Sequence, residues 1–156
     1  MHVVITGANR GIGQALDNRY RTRGDTVTGT ARSGGEFVPL DVCNPDSFQT
    51  LNGALDSRPV DLLVCNAGVY LDRGNTLEDG FGADLWAQCF ATNVTGVFLS
   101  IQALLPHLRR GRSSRIAILS SQMASSELAP GGSYIYRASK AAVLNLGRNL
   151  ATDLKP

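Results

Sequence analysis

Five short apolar runs, each too brief to form a helix, alternate with longer segments whose apolar residues recur at helical period. This alternation constrains the fold most, because strand-helix-strand units repeated along a chain build a mostly parallel sheet. Strands are expected at Val3 to Thr6, Thr26 to Thr30, Glu36 to Leu40, Leu62 to Cys65 and Arg115 to Ser120. Helices are expected at roughly Gly11 to Arg23, Pro45 to Leu55, Leu85 to Leu108 and Tyr136 to Leu154. The interval from Ala31 to Glu36 is too short for a crossover helix, so a tight Ser33-Gly34-Gly35 loop must replace it, and parallel pairing across so short a loop is difficult. Ile116-Ala117-Ile118-Leu119 is apolar without alternation, as a strand buried on both faces would be. No later strand follows to cover its outer edge, an aggregation liability, so the sequence reads as a sheet lacking its last strands.

With 156 residues, 43% of them hydrophobic, the chain can bury a real core and is expected to be one domain over residues 1–156. Its net charge is +2, and its arginines and lysines are scattered apart from Arg109-Arg110-Gly111-Arg112. That cluster reads as a helix end with cations near the negative dipole pole, and without a basic stripe no nucleic-acid partner is expected. Cys43, Cys65 and Cys89 are far apart and form no CxxC pair. They read as small core hydrophobes in a reducing compartment. His2 and His107 are isolated from other ligand types, so no metal is expected, and His107 reads as a helix-end residue. The N-terminus lacks the pattern of a secretory signal and no uninterrupted apolar run reaches spanning length. The expectation is a soluble, cytoplasmic protein with no membrane partner.

The first strand runs into Thr6-Gly7-Ala8-Asn9-Arg10-Gly11-Ile12-Gly13. A diphosphate can be held where a strand ends and a helix begins, because the first amide protons of the helix lack partners and its dipole favours negative charge. Gly7 allows the tight turn, Gly11 lets the backbone approach a pyrophosphate, and Gly13 lets the helix pack closely. A ligand-free glycine loop has the same composition, and the spacing differs from Gly-x-Gly-x-x-Gly. A Walker-type loop is excluded, since no Gly-Lys-Ser or Gly-Lys-Thr follows. The second strand ends Gly29-Thr30-Ala31-Arg32, with an arginine where an acid would bind an adenosine ribose. Arg32 and Arg10 favour NADP(H) over NAD(H), against the commoner fate of an arginine as a solvated surface residue. Tyr136 and Lys140 lie four apart on one helix face, and a nearby ammonium favours a phenolate, the tuning that a carbonyl/alcohol proton transfer needs. Tyr134 would face elsewhere. A bare Tyr-x-x-x-Lys is more often a half-buried tyrosine beside a solvated lysine, and only the upstream glycine turn changes that weighting.

With these motifs in order, the chain resembles the classical short-chain dehydrogenase/reductase family from Val3 to Leu154. Asn66-Ala67-Gly68 is similar to the segment that steadies the family's central sheet and flanks its cofactor. The resemblance implies an α/β Rossmann-like doubly wound parallel sheet with helices on both faces. It implies a catalytic tetrad of Asn93, Ser121, Tyr136 and Lys140, with Ser120 as the alternative serine. It also implies cofactor contacts from Gly7, Asn9, Arg10, Gly11, Ile12, Gly13, Arg32, Asp41, Val42, Asn66, Ala67, Gly68, Tyr136 and Lys140. Asp41 would meet the adenine edge, although a lone acid there could equally cap the following segment. Asn93 would hold a water that links Lys140 to bulk. The implied activity is reversible hydride transfer between the nicotinamide and a carbonyl or secondary alcohol of a small molecule, in a homodimer or homotetramer built on the two long helices. Met123, Leu128 and Tyr134 suggest a partly apolar pocket. A non-catalytic NADP-binding sensor on the same scaffold, an epimerase or dehydratase relative, and an inert fragment remain open.

Overall fold

Five strands, β1 (His2–Ile5), β2 (Thr26–Ala31), β3 (Val38–Pro39), β4 (Leu62–Cys65) and β5 (Arg115–Ile118), lie parallel in the order β3-β2-β1-β4-β5. The computed structural model describes residues 1–155. Helices α1 (Gly11–Thr22), α2 (Ser47–Leu55), α3 (Ala83–Phe90), α4 (Gly96–Arg110) and α5 (Tyr134–Asp153) complete the main elements. The described residues divide into two compact units, Met1–Ala67 with Gly96–Leu119, and Gly68–Thr95 with residues 120–155. All five strands belong to the first.

Strand alternation distributes the core of that unit over both faces of the sheet. Val3, Ile5, Val27 and Val64 form one cluster, against which Leu16 and Tyr20 of α1 pack. Val4 and Leu63, fully buried and paired across β1 and β4, point to the opposite face, where α4 packs on β4 and on α2. The expected doubly wound α/β sheet with flanking helices is present. The expected boundaries all hold to within two residues, with the third strand shortened at both ends and the third helical segment divided by a turn of different helical type.

At that edge, Gly34 (φ +67°) and Gly35 (φ +73°) bring the chain back sharply enough for β3 to run parallel to β2. Gly34 and Leu40 both donate their N–H to the Ala31 carbonyl, at 3.2 and 3.0 Å. The strand expected at Glu36 to Leu40 shrinks to Val38–Pro39, paired only with Thr30 and Ala31. Pro39 has no N–H to donate, a loss that a sheet tolerates only at an edge. β5 forms the other edge and is correspondingly half-buried.

The third helical segment extends beyond the expected range, from Ala83 to Arg110, and is interrupted by a π-helical turn at Ala91–Thr95. By length and composition alone this stretch could cross a membrane, with a window of mean hydropathy 1.4. Core helices pass the same test, and Val97, Ile101, Leu104 and Leu108 of α4 are buried in the first unit. α4 ends in the basic turn His107, Arg109, Arg110, as the cluster predicts. His107 donates from Nδ1 to the Arg58 carbonyl at 2.9 Å. Cys65 and Cys89 are buried, but Cys43 is exposed, contrary to the expectation of three core thiols. It falls in the turn after Asp41, outside the strands and helices that build the core.

Candidate functional site

At the carboxyl ends of β1 and β4 the strand order reverses direction along the chain, the position where open α/β sheets bind ligands. Thr6 and Asn66 brace this point against each other. The Thr6 hydroxyl accepts the N–H groups of Asn66 (3.1 Å) and Ala67 (3.0 Å). The Asn66 side-chain amide donates to the Thr6 and Gly7 carbonyls, both at 2.9 Å. Gly13, in the first turn of α1, lies so close that a Cβ would sit 2.1 Å from the Gly7 oxygen and 2.5 Å from Asn66 Nδ2. Only glycine fits there. At Gly11 (φ +56°) a Cβ would meet nothing within 4 Å, so its positive φ, not crowding, selects glycine, and the space beside it is open. α1 begins without a side-chain cap and with no acid in its first turn, which leaves its leading amides to an external acceptor.

Asn9, Arg10 and Ile12 are exposed on this turn, and Arg32 is exposed just past β2. Among the described residues neither arginine is in an ion pair. Asp41 is half-buried and its carboxylate accepts the Cys43 N–H at 2.9 Å, while Ser47 donates to its carbonyl at 2.7 Å. That is the local capping arrangement. Val42 is buried. The residues expected to bind cofactor from Gly7 to Ala67 all belong to the first unit.

Gly68, Asn93, Ser121, Tyr136 and Lys140 fall in the second unit. α5 carries Tyr136 and Lys140 one turn apart, with Lys140 Nζ 5.7 Å from the Tyr136 ring centroid. Lys140 is buried, and desolvation pushes its ammonium below the usual lysine range, with the Cys89 sulfur opposing that shift. Ser120 and Ser121 have different roles. The Ser120 hydroxyl donates to the Lys140 carbonyl at 3.1 Å. Ser121 Oγ accepts the Met123 N–H at 3.1 Å, which leaves its own proton available to another acceptor.

Asn93 is fully buried in the middle of the π turn, an irregularity that often re-aims side chains at functional positions. Its amide oxygen accepts the Val69 N–H at 2.8 Å, and its amide nitrogen donates to the Val69 carbonyl at 2.9 Å and Ser139 Oγ at 3.0 Å. Helical periodicity gives no signal of such a turn. Of the residues expected near a pocket, Met123 and Leu128 line a cavity of about 540 Å³ with Glu127, Pro130 and Arg137. Tyr134 does not line it; its ring packs edge-on against Phe81, because its position on α5 turns it away from Lys140.

Residues 1–156 match the family model described as short chain dehydrogenase. The chain belongs to the short-chain dehydrogenase family. This short-chain dehydrogenase is 30% identical to a 3-oxoacyl-(acyl-carrier-protein) reductase of Vibrio cholerae, over 97% of the chain and 66% of the relative. It is 36% identical to a gluconate 5-dehydrogenase of Gluconobacter oxydans, over 96% of the chain and 64% of the relative. Among solved structures, the NADPH-bound carbonyl reductase from chicken fatty liver superposes with a TM-score of 0.84 at 26% identity, covering 97% of the chain and 73% of that protein. The chain thus spans slightly less than two thirds of the curated relatives it matches.

Proposed function

We propose that the protein is an NADP(H)-dependent oxidoreductase that interconverts a carbonyl and a secondary alcohol on a small molecule, with Tyr136 as the acid and base. The observation that carries this reading is the grouping of Tyr136, Lys140, Asn93 and a Ser121 hydroxyl with its proton unengaged in one unit of a short-chain dehydrogenase. The bound nicotinamide would supply the hydride in reduction and take it up in oxidation. Tyr136 would give its phenolic proton to the developing alkoxide. Ser121 would donate to the same oxygen, stabilisation aimed where charge appears. Lys140 would hold the nicotinamide ribose and keep positive charge beside the phenol. Because the Asn93 side chain is committed to Val69 and Ser139, a water serving Lys140 would bind its main-chain carbonyl in the π turn.

The glycine turn suits a dinucleotide: space stands open at Gly11, α1 starts uncapped, and the turn is locked against Asn66. Gly7, Asn9, Gly11, Ile12, Gly13, Asn66, Ala67 and Gly68 would contact its diphosphate and ribose. Arg10 and Arg32 would pair with the 2′-phosphate, which selects NADP(H). Val42, being buried, would contribute its backbone, and Asp41 the one carboxylate oxygen not engaged with Cys43. We further propose one dinucleotide-binding domain over residues 1–156, a cytoplasmic location and a homodimer or homotetramer. Exposed Phe98 on α4 and Leu144 on α5 support self-association.

The test is a panel of carbonyl substrates with NADPH. Turnover that Tyr136→Phe lowers at least about 10³-fold is the expected result, the loss of an acid and of its oriented hydrogen bond together. Unchanged turnover in Tyr136→Phe overturns the assignment, and a wild type that binds NADPH but reduces nothing favours the sensor reading.

A further inference from the structure

The segment Val69–Asp72, which no sequence motif singled out, reaches Tyr136 in three ways. First, the Tyr70 ring stacks on the Tyr136 ring, with centroids 4.2 Å apart and planes inclined by 16°. The Tyr70 hydroxyl is in turn hydrogen-bonded to Ser133 Oγ. Second, the fully buried Asp72 carboxylate accepts the N–H of Ile135 at 2.8 Å and that of Tyr136 itself at 3.3 Å. α5 has no other anionic anchor at this end: Ser133 precedes it in a left-handed conformation with no side-chain cap, and its first turn contains no acid. Third, both backbone groups of Val69 are bound by Asn93, whose amide also donates to Ser139 Oγ, and the Ser139 hydroxyl donates to the Tyr136 carbonyl at 2.8 Å.

Tyr136 is therefore held at its N–H and one ring face by this segment, and at its C=O by Ser139, which Asn93 ties to the same segment. A buried carboxylate at a helix N-terminus is favourable through charge-assisted hydrogen bonds and the dipole, which accounts for Asp72 energetically. It does not account for Tyr70, which remains 37% exposed while its ring is stacked on Tyr136. Stacking an exposed ring on another fixes the rotation of the second ring. A reacting group displaced by about 1 Å loses on the order of 10²-fold in rate.

We infer that Val69–Asp72 is the jig that aims the Tyr136 hydroxyl, with Tyr70 and Asp72 as positioning residues for the proton transfer. This inference rests on the reading of Tyr136 as the acid. The test combines steady-state kinetics with NMR of the full chain carrying ring-labelled tyrosine. The four tyrosines, at 20, 70, 134 and 136, make the Tyr136 signal assignable by Tyr136→Phe. In the wild type its ring signal is expected upfield, displaced by the Tyr70 ring current. Tyr70→Leu should abolish that displacement and lower kcat about 10- to 100-fold with the KM for NADPH unchanged, while Tyr70→Phe, which keeps the ring, restores both. Asp72→Asn, which keeps an acceptor but loses the charge, should fall between. Wild-type kcat in Tyr70→Leu, or a Tyr136 signal that does not move, overturns the proposal. Wild-type kcat in Asp72→Asn removes Asp72 from it. A wild type that reduces no carbonyl overturns the reading of Tyr136 as the acid instead, and the ring signal then decides the Tyr70 contact by itself.

Discussion

Lys140 is 6% exposed, and burial holds its ammonium below the usual lysine range. A lysine whose folded pKa is depressed carries its desolvation cost wherever the ammonium persists in the fold. As pH rises through the folded value, the native chain loses the proton while the unfolded chain retains it up to about 10.4. The unfolded state then binds more protons, so stability climbs with pH over that window. Lys140→Met should accordingly melt at a higher temperature than the wild type at pH 7, lose the proposed carbonyl reduction, and show a shrinking thermal advantage as pH nears that of free lysine. A variant that melts lower at pH 7 would mean that contacts of the ammonium outweigh its burial. Lys140, Tyr136 and the glycine turn were legible in the sequence because each depends on local spacing: one helical turn for the pair, one strand-helix junction for the turn. Tyr70 and Asp72 were not. Asp72 meets Ile135 and Tyr136 across a long stretch of chain, and no local pattern marks an acid that caps a distant helix. The available hint lay in α5 itself, whose start lacks an acid or a capping side chain.

Helix α2 shows how backbone geometry divides the effects of glycine at the scale of an element. Gly53 is helical, and a Cβ there would meet nothing within 4 Å. Gly53→Ala should stabilise the protein by about 0.5–1 kcal/mol by reducing the freedom of the unfolded chain. Gly34, in the link that returns β3 to β2, has φ +67° and a Cβ there would lie 3.1 Å from Pro39. Gly34→Ala should therefore destabilise by about 1–3 kcal/mol. Denaturant midpoints measure both, and equal signs for the two variants would refute the distinction. The same link explains why the third strand is shorter than expected. Apolar content made Glu36 to Leu40 read as a strand, but two left-handed glycines and Pro39 leave only Val38–Pro39 able to pair. In the third helical segment, periodicity located the helix but could not register the extra residue of the π turn, because one inserted residue hardly disturbs the apolar pattern on either side of it. The edge strand β5 was legible as a strand, and its half-buried state follows from having a neighbour on one side only.

For the whole molecule, the reading that reaches furthest is cofactor choice, because it converts two exposed arginines into a property of the folded state. A ligand that binds only the native protein stabilises it by mass action, about 2.7 kcal/mol at a concentration one hundred times its Kd. For a chain of this length that corresponds to roughly 5–10 °C in Tm. At equal millimolar concentrations NADPH should raise the Tm more than NADH, because only NADPH carries the 2′-phosphate that Arg10 and Arg32 would meet, and neither arginine has an ion-pair partner among the described residues to give up. Arg32→Ala should lower the NADPH shift towards the NADH shift and leave the latter unchanged. Raising the salt concentration should shrink the NADPH advantage in the wild type, since exposed charge pairs are screened. An NADH shift equal to that of NADPH in the wild type would reverse the cofactor assignment. Substrate choice is harder to read from sequence than the proposed cofactor choice. A phosphate would be read by one or two cations at a strand end, whereas a substrate would be read by a surface such as the cavity lined by Met123, Leu128 and Arg137, whose shape depends on how the loop before α5 packs on that helix, which residue spacing does not specify.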